Sequence, residues 1–190
     1  LGVRIAYNKD KIRLLKAGGA TRQGSVKLPT APTDGTAAPD LTPNPRYMAW
    51  AVLQQKSTGK KFFMVAVHFE SRNDDDLKTT TKNETDFGCG NSDTPICGKV
   101  RQAQAQVAVQ KIAELNTEGL PVVVAGDFAS SRAEPGGNLP YETLMASGLQ
   151  NPLGGTGTTV TNAPAGKRVN IAFNSVNQLE RKARRWAPPS

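Results

Sequence analysis

The single histidine of the chain, His68, closes the apolar run Val65-Ala66-Val67-His68-Phe69-Glu70, and Asp127 closes another, Val122-Val123-Val124-Ala125-Gly126-Asp127-Phe128. An imidazole changes protonation near neutral pH, and a carboxylate at the carboxyl end of a buried strand can be aimed into a crevice at the sheet edge. Gly126, just before the aspartate, permits close approach of backbone or ligand. Each residue also has a plainer reading. Asp127 could cap the following turn through Ser130, and a lone histidine is often a hydrogen-bonded structural residue. Taken together, two strand ends joined by a helix that covers the sheet predict one polar crevice shared by His68 and Asp127.

The elements that must position this pair can be read from the pattern of apolar residues. Val3 to Tyr7 and Lys11 to Leu15, with Asn8-Lys9-Asp10 between them, predict a first hairpin. Gly18 to Pro45 is rich in Gly, Pro, Thr and Ala and predicts a long exposed loop. Tyr47 to Gln55 and Lys61 to His68 flank Ser57-Thr58-Gly59-Lys60 and predict a second hairpin. Its later strand is continuously apolar from Phe62 to Val67, as expected of a central strand covered on both faces. Ser71 to Gly98 reads as a second long polar loop.

Ala105, Ala108, Val109, Ile112 and Leu115 recur at helical spacing and predict an amphipathic helix from about Lys99 to Thr117, ended by Gly119. Leu120 to Ala125 then predicts a short buried strand running into Gly126-Asp127-Phe128. Pro140 to Ser147 predicts a short helix closed by Gly148. Val169 to Phe173 predicts the last strand, and Trp186 could anchor a further edge strand.

At 190 residues the chain is long enough for one domain with a real core, and thirteen prolines and eighteen glycines suit a loop-rich β-containing domain. No stretch of about 18 apolar residues occurs, and no charged-then-apolar leader marks a signal peptide. The chain opens at Leu1, in what already reads as a strand, so the natural product is expected to begin upstream. A formal charge of +8 favours polyanionic partners. Basic residues crowd both ends (Lys9, Lys11, Arg13 and Lys16; Arg181, Lys182, Arg184 and Arg185), although such runs also serve as solvated faces. Cys89 and Cys97 bracket a short Gly/Asn/Ser/Asp/Pro loop. A disulfide there would stabilise by about 2.5 kcal/mol and imply an oxidising, secreted setting. Two unlinked thiols are the alternative, and zinc is the poorer reading for want of a Cys-x-x-Cys pair or a second histidine.

Four segments in order, the strand ending at His68, the helix start Arg101-Gln102-Ala103-Gln104, the run Pro121 to Phe128, and Tyr141-Glu142-Thr143-Leu144 with Gly148-Leu149, resemble the endonuclease/exonuclease/phosphatase superfamily, the deoxyribonuclease I-like fold. The resemblance extends from about Gly2 to Phe173. It implies an α/β (α+β) four-layer sandwich, two packed mixed β-sheets flanked by helices. It also implies Mg²⁺-assisted or other divalent-cation-assisted phosphoester hydrolysis. By position, His68 matches the first family histidine, which contacts the scissile phosphate, and Asp127 the aspartate that activates water. Arg101, Gln104 and Arg168 fall on supporting positions of the same motifs.

The chain departs from the pattern at two internal positions. Ala129 stands where the motif Gly-Asp-Phe-Asn has its asparagine, and a methyl group cannot replace that amide. Asn170, in Arg168-Val169-Asn170-Ile171-Ala172-Phe173, stands where the family has an aspartate; it accepts a hydrogen bond but cannot act as a base. The early Asn and Glu motifs, which supply the main metal ligand, and the closing Ser-Asp-His motif do not occur, so the fold is expected to be incomplete at both ends. If the sheet has open edges, another chain or segment is expected to complete it.

The resulting expectation is a metal-dependent phosphodiesterase or phosphatase with an altered site, acting on a phosphate-bearing partner, nucleic acid first and a phospholipid head group next. The alternative is a catalytically inactive domain of the same fold, serving as a binding or structural module on a secreted or virion-surface protein. An unrelated nucleic-acid-binding domain is the weakest reading, because the basic runs carry only Tyr7 and Trp186 for base stacking.

Overall fold

Tyr47–Gln55 and Lys61–His68 form the antiparallel hairpin that the sequence predicts, paired from Met48↔Val67 to Gln54↔Lys61. The computed structural model describes residues 2–35, 45–70, 96–129 and 139–150. In chain order the elements are β1 (Ile12–Leu14), β2 (Lys16–Ala17), β3 (Ala20–Thr21), β4 (Gln23–Lys27), β5 (Tyr47–Gln55), β6 (Lys61–His68), α1 (Ile96–Leu115), β7 (Val122–Asp127) and α2 (Leu139–Ala146). The chain groups into two compact units, Leu1–Ser147 and Gly148–Ser190, and all of these elements belong to the first.

A five-stranded mixed sheet runs in the order β1-β5-β6-β7, with β4 also paired to β5. β6 and β7 are parallel, and α1 is the crossover between them. This is the expected α/β arrangement of a mixed sheet with helices. Among the described residues it is one large sheet; the second large sheet of a four-layer sandwich does not lie among them. β6 sits between β5 and β7, as its uninterrupted apolar run requires, and Phe63, Val65 and Val67 are fully buried.

Three expectations are corrected. Val3 to Tyr7 is not a strand, so the first hairpin does not form; β1 pairs instead with the far end of β5, from Ile12↔Gln55 to Leu14↔Leu53. A two-stranded hairpin alone is marginal, and the long apolar β5 offers a better ladder. The stretch after Gly18 is not all loop, because β4 pairs with β5 over Gln23 to Lys27. Its sequence Gln-Gly-Ser-Val-Lys leaves every side chain but Val26 exposed, which is why no apolar period marks it. Gly24 is the one clue: a Cβ there would lie 2.8 Å from Trp50 Nε1, so the strand depends on glycine to make room for the Trp50 ring that stacks on Phe63.

The third correction concerns β7. Its apolar run reads as a buried strand, yet Val123, Ala125 and Asp127 are exposed and Val122 and Val124 only half-buried. Among the described residues β7 pairs with β6 alone, so only one edge of it is covered.

β1 and β4 lie end to end along β5. Val52 joins them: Leu15 N donates to Val52 O at 2.9 Å, and Val52 N donates to Arg22 O at 2.8 Å. The small β2–β3 hairpin is an excursion between those two bonds.

Helix α1 starts three residues earlier than the apolar period predicts and ends at Leu115. Ala105 and Ala108 are buried as expected, but Val109, Ile112 and Leu115 are only half-buried. Burial concentrates in the first half, at Cys97, Val100, Arg101, Ala103 and Gln104. The helix ends where Gly119, at φ +59°, turns the chain, and the Asn116 side chain both donates to Leu120 O (2.8 Å) and accepts from Leu120 N (2.9 Å). The chain is thereby directed into β7. α2 packs on α1 and buries Pro140 and Leu144, and Gly148 follows at φ +91°.

Candidate functional site

The parallel register of β6 and β7 sets His68 directly beside Asp127, after Val67↔Gly126 and Ala66↔Ala125. Partners in register share a face of the sheet, so the imidazole and the carboxylate emerge together at one rim. His68 Nε2 lies 3.8 Å from Asp127 Oδ2. The imidazole is about one-third exposed and the carboxylate about two-thirds, at 32% and 65%, so a solute can reach both.

Gly126 makes this register possible. It adopts φ +143°, and a Cβ would fall 2.0 Å from Val67 O and 2.8 Å from Val67 N. Of the two uses anticipated for this glycine, close approach of backbone is the one found. Immediately beyond the pair, Phe69 N donates to Asp127 O at 2.9 Å, and Phe69 meets Phe128 edge-on with ring centroids 5.7 Å apart. Two strand ends joined by both a backbone bond and an aromatic contact hold the preceding side chains in place.

Asp127 combines both of its sequence readings. Oδ1 accepts from Ala129 N at 2.9 Å, closing a turn as a capping aspartate does, while Oδ2 is directed toward His68. Ala129 itself has φ +46°, the only non-glycine with positive φ among the described residues. That left-handed conformation is costly for alanine and well tolerated by asparagine, the residue the family motif has at this position. Ser130, Arg168 and Asn170 lie outside the described residues, as does Cys89. Cys97 is buried and disulfide-bonded.

Arg46 and Glu70 adjoin the pair, and sequence reasoning missed both. Arg46, one residue before β5, places Nη1 3.3 Å from His68 Nε2 and donates from Nη2 to Glu70 Oε1 at 3.4 Å. Glu70 is 1% exposed. Its backbone is held from α1: Glu70 N donates to Gln104 Oε1 at 2.8 Å, and Arg101 Nη1 donates to Glu70 O at 3.3 Å. Gln104 Nε2 also donates to Pro29 O at 2.9 Å. Arg101 and Gln104, expected to support the site, are therefore buried beneath it and clasp the segment two residues after His68. The one available signal for Arg46 was a basic residue next to a strand that pairs in register with β6.

The described residues do not by themselves fit a divalent cation. Among them no three His, Cys, Asp or Glu side chains gather, and the carboxylate of Glu70 is engaged by Arg46. Asp127 offers one outward oxygen, whereas Mg²⁺ takes six ligands. What the arrangement offers on its own is a guanidinium and an imidazole beside a reachable carboxylate, a set of donors for an oxyanion next to an acceptor for water.

No protein-family model matches the chain, and no curated protein matches it. Among solved structures it is similar to a mannosyl-6-phosphatase of Bacteroides thetaiotaomicron, at 20% identity and a TM-score of 0.46, over 75% of this chain and 40% of that one. It is similar to an endonuclease/exonuclease/phosphatase protein of Bacteroides vulgatus, at 24% identity and a TM-score of 0.46, over 74% of this chain and 40% of that one. It is also similar to the human Nocturnin catalytic domain, at 15% identity and a TM-score of 0.41, over 73% and 36% respectively. The chain thus spans about 40% of the length of these structures.

Proposed function

We infer that this chain carries part of a phosphoester-hydrolase site of the endonuclease/exonuclease/phosphatase type, with a phosphoryl group bound between Arg46, His68 and Asp127. The observation that carries this reading is the in-register pair His68↔Asp127, 3.8 Å apart at an accessible rim with Arg46 beside it. It agrees with the order of motifs read from the sequence.

In this reading Arg46 and His68 donate to non-bridging phosphoryl oxygens, where charge builds in the transition state. The guanidinium cannot be deprotonated and keeps its charge throughout. Asp127 Oδ2 accepts a proton from, or orients, the attacking water, while Ala129 N, bonded to Oδ1, fixes the carboxylate plane. The methyl group of Ala129 contributes nothing to the phosphate. The site is therefore one neutral donor poorer than the family motif. Nucleic acid is the substrate class that the +8 charge favours, with a phospholipid head group second. The disulfide at Cys97 supports a secreted setting.

A second reading, a binding or structural module of the same fold without turnover, is favoured by Ala129 alone. One assay separates the two: hydrolysis of a generic phosphodiester in Mg²⁺, with a chelator control, for the wild type and for His68→Ala and Asp127→Asn. The hydrolase reading requires turnover that falls at least about 100-fold in either variant, and the chelator control shows whether a divalent cation takes part. Turnover that is absent, or indifferent to both substitutions, leaves the binding module.

A further inference from the structure

We propose that Arg46, held in place by the buried carboxylate of Glu70, is a positioning residue that fixes the tautomer of His68 with the proton on Nδ1. A guanidinium has only donors. Its Nη1 stands 3.3 Å from His68 Nε2, within reach of a hydrogen bond, so Nε2 must be the acceptor in the neutral imidazole.

Asp127 is the competitor. Its Oδ2, as a carboxylate acceptor, would call for a proton on Nε2 instead, but at 3.8 Å it lies beyond hydrogen-bond distance. Distance therefore decides for Arg46.

Nor is Arg46 free to swing away. Its Nη2 donates to Glu70 Oε1, and Glu70 is fixed through its own backbone by Gln104 and Arg101 of α1. The chain of contacts runs from the helix through Glu70 and Arg46 to the imidazole. A planar fork with one prong on a buried carboxylate and the other on Nε2 sets the ring's orientation as well as its proton.

The inference stands on this geometry alone, but its consequence for chemistry rests on the phosphoester reading. At rest His68 is an acceptor at Nε2. An oxyanion arriving at Arg46 accepts the Nη1–H hydrogen bond in place of Nε2 while the guanidinium keeps its proton, and Nε2, its lone pair released, takes up a proton from solvent and donates to the same oxyanion.

Because His68 is the only histidine in the chain, the imidazole ¹⁵N spectrum reports it without assignment. At a pH of about 8.5, above the ordinary histidine range near 6.5, the wild type is expected to show protonated Nδ1 and bare Nε2. Arg46→Met should move the proton to Nε2 or give a mixture. Should that variant unfold because Glu70 is left charged and buried, the double variant Arg46→Met/Glu70→Met removes both charges and must give the same shift. Asp127→Asn should leave the tautomer as in wild type. A wild-type spectrum with the proton on Nε2, or one unchanged by loss of Arg46, overturns the proposal. Adding inorganic phosphate to the wild type tests the functional reading separately: protonation of Nε2 supports the oxyanion site, whereas an unchanged spectrum counts against that site and leaves the resting tautomer standing.

Discussion

Replacing Gly126 by alanine should damage the protein far more than any other substitution of one glycine by alanine among the described residues. The new Cβ would lie 2.0 Å from Val67 O, whereas even weak C–H···O contacts settle at about 3.3 Å. Relief requires β6 and β7 to separate by roughly 1.3 Å, and both obstructing groups are backbone. Movement on that scale breaks the Phe69 N to Asp127 O bond next to the site, now 2.9 Å, at about 1 kcal/mol for each ladder bond lost. The φ of +143° adds strain of about 1 to 3 kcal/mol. With two such bonds lost, the sum is roughly 4 kcal/mol, a large fraction of a domain's stability. Gly119→Ala is the control. It has φ +59° with nothing within 4 Å of its Cβ position, so it should cost only the conformational term, about 1 to 2 kcal/mol. Urea titration of the three proteins at constant m-value measures the difference. If Gly126→Ala costs no more than Gly119→Ala, then backbone approach does not set the β6–β7 register, and the explanation of how His68 meets Asp127 fails.

Ala129→Asn should stabilise by roughly 0.5 to 1 kcal/mol, because asparagine tolerates the left-handed conformation found at φ +46°. Chemical denaturation checks the stability. An increase in phosphodiester turnover in the same variant would show that the amide acts on substrate as well as on backbone. Glu118 has its carboxyl held below the usual range, first by the hydrogen bond from Arg22 and then by that from Lys61. A lowered folded pKa stabilises above the unfolded value and is lost as pH falls through the folded one. Glu118→Gln should therefore flatten the acid side of the stability profile while leaving the response near neutral pH in place, and the effect should shrink in high salt because the group is exposed.

What was legible in the sequence followed apolar pattern and turn chemistry. β5, β6, α1 and α2 were each announced by apolar runs with a glycine or a polar turn at the end, although α1 buries its first half rather than the whole apolar stripe. β4 was hidden because Gln23, Ser25 and Lys27 face solvent, Gly24 has no side chain, and Val26 is its one apolar side chain. The pairing of β1 with β5 rather than with Val3 to Tyr7 is a choice between distant segments, and local sequence does not encode it. The same distinction runs through the site. His68 and Asp127 could be found because each ends a strand and a conspicuous glycine precedes one of them. Arg46 and Glu70 could not, since a basic residue before a strand and an acidic one after another look like ordinary surface. Only the register of three strands makes them neighbours.

The most direct test of the central claim, that His68 and Asp127 act on one phosphoester, is a double-mutant cycle on Mg²⁺-supported phosphodiester turnover. The variants are His68→Ala, Asp127→Asn and the pair. Groups that share a reacting centre give losses that do not add, so the double variant should be no slower than about the worse single one. Losses that multiply, or turnover equal to wild type in the double variant, would contradict the account.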